Sequence, residues 1–370
     1  MTAEFLSAIQ EECGGCIPFD RFMAAALYHP DFGYYTKNIR TVGARGDFST
    51  WPSLDGSLAL GIAGWLAEQP GRHVIEVGAG TGRLAADVLR GLGWRRRWRT
   101  TLHIVEVSPV LRAQQLRTLR GQRVCWHATM AEALQACGGV ADIYSNELPD
   151  AFPCRVFVRA GDSWSELAIR VEGGSAHETL RPVPNADGSS HFSDAAHTGQ
   201  NRFLSKTQGG ADACPGLEDE APVGLDAAAI RTSSLPCSSS LEGSPPEGSR
   251  VEVHESYRSW LQSWASGWTS GRMLTVDYGD EMPALYRRRP GGSIRAYAHQ
   301  QRLTGKEITS GFGKRDITAD VNFSDLRAWG EGLGWKTISS ARLAEWMQSV
   351  PLSPALREAG EAFRILVQRA

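Results

Sequence analysis

Val74-Ile75-Glu76-Val77-Gly78-Ala79-Gly80-Thr81-Gly82-Arg83-Leu84 is an apolar run that breaks into three alternate glycines and resumes as a periodic segment. The run predicts a buried strand over Val74–Val77. The resumption predicts a helix over Thr81–Leu92, with the glycines as the turn between them. Glycine accepts positive φ and lets backbone come against a ligand, so Gly78, Gly80 and Gly82 shape a loop on which an adenosine-bearing cofactor can rest. The spacing is Glu-x-Gly-x-Gly-x-Gly. The dinucleotide fingerprint Gly-x-Gly-x-x-Gly places its third glycine one residue later and needs no acid ahead of the first. Glu76 and this loop suit a cationic sulfonium with a free amino group better than a pyrophosphate.

The next hydrophobic run, Leu102-His103-Ile104-Val105-Glu106-Val107, carries a second acid at its end. Glu106 is placed to hold two ribose hydroxyls, as the corresponding acid does in dinucleotide folds. Together these residues read as an S-adenosylmethionine site.

Downstream, helices at Pro109–Leu119 and Met130–Ala136 alternate with strands at Arg123–Trp126 and Ala141–Tyr144. This βαβα order predicts an α/β fold, a Rossmann-like parallel sheet with helices on both faces and ligands at the strands' carboxyl ends. The last of these strands runs into Ser145-Asn146-Glu147-Leu148-Pro149-Asp150. Asn146, Glu147 and Asp150 therefore face the reacting end of the cofactor. Carboxylates there can grip a guanidinium bidentately and leave one nitrogen aimed at the methyl group.

Around this core, spacing predicts helices at residues 3–12, Pro18–Leu27, about Ser53–Glu68 and Tyr257–Trp264, and further helices over Asp325–Leu333, Ala341–Met347 and part of 354–369. An aromatic turn covers Tyr28–Thr36, and the polar loop Gly43–Thr50 is a candidate lid. Arg155–Arg159 and Glu166–Val171 alternate and predict a hairpin. Strands are also expected at Arg272–Val276 and around Arg364–Val367. From about 185 to 250 small and polar residues dominate, which predicts a disordered or loosely packed insertion. The expected organisation is an N-terminal helical segment with the lid loop (1–70), a cofactor core (71–154), substrate-lobe strands with the insertion (155–250) and the remainder of the catalytic domain (251–370).

Composition excludes several classes. A net charge of −2 over 370 residues gives no global attraction to nucleic acid or an anionic membrane. Trp94-Arg95-Arg96-Arg97-Trp98-Arg99 is a lone basic cluster and reads as a solvated helix end rather than a nucleic-acid patch. No apolar run approaches the roughly 18 residues needed to span a bilayer. The seven cysteines include one close pair, Cys13-Gly14-Gly15-Cys16, which reads as a loop between two helices and has no second pair to complete a zinc set. No metal is expected. The N-terminus lacks secretory and transit-peptide patterns, so a cytoplasmic protein is expected.

The chain resembles the MidA-like S-adenosylmethionine-dependent methyltransferases, a family that includes the mitochondrial complex I assembly-factor arginine methyltransferase. The likeness rests on Ala26–Thr36, Gly46-Asp47-Phe48, Glu76–Leu84, Ser145-Asn146-Glu147 with Asp150-Ala151 and Pro153, Val276-Asp277-Tyr278-Gly279, Arg295-Ala296-Tyr297 and Asp316–Ala319 with Val321-Asn322-Phe323. It implies a class I methyltransferase fold with an inserted substrate lobe, S-adenosylmethionine as donor, and a protein arginine acceptor, in the mitochondrial member on a complex I subunit. By motif, Glu76, Gly78, Gly80 and Glu106 bind cofactor, and Asp47, Asn146, Glu147 and Asp150 line the acceptor pocket. This chain departs from the family at Thr50-Trp51-Pro52-Ser53, where an acid is usual, and at Asp320, where a histidine is usual. Three further readings stand beside protein methylation: a small-molecule methyltransferase, a cofactor-binding assembly chaperone without turnover and a nicotinamide-dependent oxidoreductase.

Overall fold

The computed structural model describes residues 14–39, 56–69, 71–161, 163–172, 175–183, 246–298, 301–310, 312–350, 357 and 360–370. The expected helix at 3–12, the loop Gly43–Thr50 and most of the 185–250 insertion lie outside the described residues.

The chain begins its described course with β1 (Cys16–Pro18), α1 (Phe19–Tyr28) and α2 (Ser57–Ala67). The central units follow as β2 (His73–Val77), α3 (Arg83–Gly91), α4 (Gly93–Arg99), β3 (Thr101–Val105), α5 (Pro109–Thr118), β4 (Val124–His127), α6 (Met130–Ala136) and β5 (Asp142–Asn146). The next strands are β6 (Arg155–Ala160), β7 (Ser163–Glu172), β8 (Ser175–Pro182) and β9 (Arg250–Val253). Then come α7 (Glu255–Ala265), β10 (Arg272–Asp280), α8 (Ala284–Arg288), β11 (Arg295–Ala298), β12 (Gln301–Leu303), α9 (Lys306–Ser310), β13 (Asp316–Thr318) and β14 (Val321–Asn322). The last elements are α10 (Phe323–Gly332), β15 (Lys336–Arg342), α11 (Leu343–Trp346) and β16 (Phe363–Arg369).

The large sheet runs β15-β16-β10-β5-β2-β3-β4, with β14 attached to β10. Its inner strands β10, β5, β2, β3 and β4 are parallel, and β16 is antiparallel to both of its neighbours. Strand residues alternate between two cores. Val74, Leu102, Ile104 and Tyr144 pack under α2, α3 and α11 with Leu58, Ile62, Trp65, Leu84, Val88 and Leu343. Ile75, Val77, Val105 and Ile143 face α6, α7 and α10, where Leu134, Trp260, Leu261, Trp264 and Trp329 cover them. A parallel sheet needs this cover on both faces, which is why its strands read as nearly continuous apolar runs.

A second sheet, β1-β7-β6-β9 with β8 on β7, forms a lobe built from the chain's first strand and the strands that follow β5. Its β6–β7 pairing is the expected hairpin, in the register Phe157–Glu166. Its core joins Ile17, Phe22, Leu27, Val156 and Ile169 to Phe312 and Ile317.

Four expectations change. Cys16 belongs to an edge strand opposite Arg170 instead of a loop between helices, because Gly14 and Gly15 at positive φ turn the chain into β1. The aromatic turn ends in a short π-helical turn, Tyr34–Asn38, pinned where the Asn38 amide donates to the Phe32 and Gly313 carbonyls. The helix expected from Ala341 begins only at Leu343, since Lys336–Arg342 pairs with β16 as an edge strand. A small sheet, β12-β11-β13, forms where no strand was expected, and Ala296 and Ile317 turn from it into the lobe core.

Candidate active site

The carboxyl ends of β2, β3, β5 and β10 converge on one edge of the large sheet. After β2 the backbone passes through Gly78, Gly80 and Gly82 at φ +69°, +53° and +77°. Only glycine enters this region without strain. A methyl group on Gly78 would press on Leu148 Cδ1 at 3.0 Å, whereas one on Gly80 would meet nothing within 4 Å. The loop thus presents bare backbone at Gly80 and a tight packing point at Gly78.

Glu106 follows β3. Its carboxylate accepts from the Ser108 amide and from Gln115 Nε2, each at 2.8 Å. Gln115 also donates to the Gly80 carbonyl at 2.9 Å and accepts from Trp126 Nε1 at 3.1 Å. Burial pushes the Glu106 carboxyl up to about 7, against the lowering effect of these donors. Glu76 is also buried and accepts from the Tyr144 hydroxyl at 2.8 Å. Burial raises it to about 8, with Glu106 adding to the rise. Two buried carboxyls, Glu76 and Glu106, are thus raised toward neutrality at the ends of the adjacent strands β2 and β3.

The reacting end lies one strand over. Asn146 ends β5 and donates to Glu147 Oε1 at 3.1 Å, while its own Oδ1 is buried without a partner among the described residues. Glu147 takes φ +51°, the one positive value for a residue other than glycine among the described residues. Non-glycine residues held there cost about 1–3 kcal/mol, and such strain gathers at functional sites. Asp150, in the turn Pro149–Ala151, is 2% exposed; its amide donates to Asp277 Oδ2 at 3.2 Å and its Oδ2 accepts from the Tyr278 hydroxyl. Its Oδ1 has no partner among the described residues. Burial raises the Asp150 carboxyl to about 6, partly offset by Tyr278 and Arg295. Asp277 is raised well above the carboxylate range by burial, then by the charges of Asp150 and Glu147.

Of the expected site residues, Glu76, Gly78, Gly80, Gly82, Glu106, Asn146, Glu147 and Asp150 are drawn to this edge. Asp47 lies outside the described residues. Sequence reasoning assigned no role to Gln115, Asp277 or Tyr278. Asp277 was findable: β10 pairs with β5 in the register Val276–Asn146, so the residue after Val276 stands beside Glu147. Behind Tyr278, the Arg295 guanidinium lies 4.5 Å from the ring centroid and is held by the buried carboxylate of Asp320.

The strand order, with one antiparallel strand between two others near the sheet's edge, is that of a class I methyltransferase, and a glycine cradle flanked by two acids fits S-adenosylmethionine. The chain belongs to the family described as "Putative S-adenosyl-L-methionine-dependent methyltransferase", whose profile matches residues 58–340. It is a methyltransferase with S-adenosylmethionine as cofactor. A Burkholderia thailandensis protein crystallised with S-adenosyl-homocysteine superposes with a TM-score of 0.74 at 23% identity, over 100% of this chain and 91% of that one, and shows the same fold. The zebrafish (Danio rerio) protein arginine methyltransferase NDUFAF7, mitochondrial, is 28% identical over 43% of this chain and 44% of its own length. The mouse (Mus musculus) protein of that name is 26% identical over 86% of this chain and 67% of its own. The chain therefore matches less than half of the zebrafish relative. The expectation of a cytoplasmic protein is overturned by these relatives, which are named as mitochondrial. Among the described residues no helix is long and apolar enough to cross a membrane.

Proposed function

We propose that this methyltransferase modifies a side-chain nitrogen of an arginine in a protein. The observation that carries the reading is the set of carboxyls Glu147, Asp150 and Asp277 at the ends of β5 and β10, whose mutual repulsion adds to burial in raising Asp277. Three carboxyls crowded at one strand edge favour a cationic acceptor, and a guanidinium supplies five N–H donors to carboxylates in a planar fork. The names of the zebrafish and mouse relatives support the same acceptor.

The bound cofactor supplies a methyl group activated on a sulfonium. In this reading the chain's residues position the acceptor. Glu147 and the free Oδ1 of Asp150 grip the guanidinium, and Asn146 Oδ1 accepts a further N–H. Holding the acceptor in line is worth up to about 7–11 kcal/mol of barrier. Asp150, with its carboxyl near 6, is matched to receive the departing proton at neutral pH. Glu76, Gly78, Gly80, Gly82 and Glu106 hold the cofactor, and Gln115 orients Glu106.

The test is methyl transfer from radiolabelled S-adenosylmethionine into a lysate of the source organism, followed by hydrolysis of the labelled protein. Label in methylarginine supports the reading. Label confined to small molecules, or to another amino acid, refutes it.

A further inference from the structure

Three histidines that the site does not use form a row across the sheet. Strand parity sets them on one face: His73 shares its side of β2 with Ile75 and Val77, and His103 shares its side of β3 with Val105. In the parallel register His103 stands opposite Ile75 and Cys125, and His127 opposite Val105, so the row climbs diagonally from the amino end of β2 to the carboxyl end of β4. His73 Nδ1 lies 3.0 Å from His103 Nε2, and His103 Nδ1 lies 2.9 Å from His127 Nε2. The helix α6 crosses this face, and its C-cap residue Cys137 is buried in the same core.

We propose that His73 Nδ1, His103 Nε2 and Cys137 Sγ bind a divalent transition-metal ion of the zinc type. One ring nitrogen from each of His73 and His103 and the Cys137 sulfur all lie within 4.8 Å of one another, and His73 Nδ1 and His103 Nε2 are the nitrogens that face each other. A tetrahedral Zn²⁺ with bonds of about 2.0–2.3 Å holds its ligand atoms roughly 3.3–3.6 Å apart, a spacing that small rotations of these side chains reach. Two imidazoles and a thiolate are ligands that zinc prefers, and His103 is oriented as metal-bound histidines are. With Nε2 on the metal, its Nδ1–H donates to His127 Nε2, which fixes the tautomer. His73 is only half-buried and leaves an approach for the ion and for a water in the fourth position. On binding, Cys137 gives its thiol proton to solvent and a sulfur–metal bond forms. The ligands are 30 and 34 residues apart in sequence, from 73 to 103 and from 103 to 137, so no local spacing announces them. The ion would fasten the end of α6 to β2 and β3, away from the acids that hold the cofactor. This inference is independent of the acceptor proposed above.

The experiment uses tag-free full-length protein stripped with chelator and titrated with Co²⁺. One equivalent is expected to give a near-ultraviolet thiolate-to-cobalt charge-transfer band that Zn²⁺ abolishes. Cys137→Ser should lose the band while still binding S-adenosylhomocysteine, which reports an intact fold. His127→Gln should keep the band and weaken Zn²⁺ binding by about 10–100-fold. If Cys137→Ser fails to bind S-adenosylhomocysteine, the half-buried His73→Gln takes its place, with at least a tenfold loss of Zn²⁺ affinity expected. Absence of the band in the wild type, a band lost in Cys125→Ser instead, or unchanged Zn²⁺ affinity in His73→Gln would each overturn the site.

Discussion

Gln115 and Glu106 meet at 2.8 Å in the interior, and the same Gln115 amide reaches the Gly80 carbonyl at 2.9 Å. One side chain on α5 thereby fixes the distance between the glycine loop and the acid that holds the ribose in our reading. Trp126 donates to Gln115 Oε1, which settles the orientation of the amide.

Glu106→Ala removes the charged acceptor for the ribose hydroxyls. Hydrogen bonds to a charged group contribute about 1.5–3 kcal/mol, so affinity for S-adenosylhomocysteine should fall roughly 10–100-fold in calorimetric titration. Gln115→Leu should weaken binding by a smaller factor, through misplacement of Glu106.

Gly78→Val should abolish cofactor binding. Its new side chain enters a left-handed backbone position and runs into Leu148, so a loss of about 1–3 kcal/mol in folding stability accompanies the loss of affinity. Equal affinity in wild type and variant would remove the loop from the cofactor site.

Cofactor binding should strengthen as pH rises from 6 to 8. Glu106 accepts hydroxyls best when ionised, and burial has moved its carboxyl from an ordinary 4.5 to about 7. The cofactor-free protein should behave oppositely. Glu76 and Glu106 both have raised carboxyls, so their contribution to folding stability is fully present below about 4.5 and is lost as pH climbs through 7 to 8. Thermal melts with and without S-adenosylhomocysteine across this range check both signs, and Glu106→Gln should flatten both curves.

Asp150→Asn should leave cofactor affinity within about twofold and cut methyl transfer by at least roughly 100-fold, the lower range for loss of a proton acceptor. Single-turnover transfer beside calorimetry separates the two effects.

Asp320→Ala strands the Arg295 guanidinium in the interior. Breaking a buried pair in this way costs about 3–5 kcal/mol, which a denaturant melt should register.

The glycine loop, its strands and its helices were legible because a sheet covered on both faces leaves unbroken apolar runs, and punctuation falls only at the turns. Glu76 and Glu106 were legible for the same reason, as lone acids at the ends of such runs. Gln115 was not. Its helix has several polar residues, and only the packing of α5 against Gly82, whose added methyl would meet Gln115 Cα at 3.4 Å, selects this one as buried. Asp277 and Tyr278 were quoted as a motif but given no role, because their place depends on β10 pairing with β5 across more than 120 residues of chain. Strand β15 was missed because it is an edge strand with a mixed face, in which Ile338 is half-exposed and no clean alternation survives.

The position of β16 has a consequence for how the chain can be shortened. Terminal segments are commonly dispensable, since few contacts hold them. Phe363–Arg369 instead lies between β10 and β15, and β15 reaches the rest of the sheet only through it. Deleting those seven residues would detach β15, expose the backbone edge of β10 and strip Ile365 and Val367, both fully or nearly buried, from the core they share with Leu58, Trp65 and Leu343. β16 is the keystone of that flank.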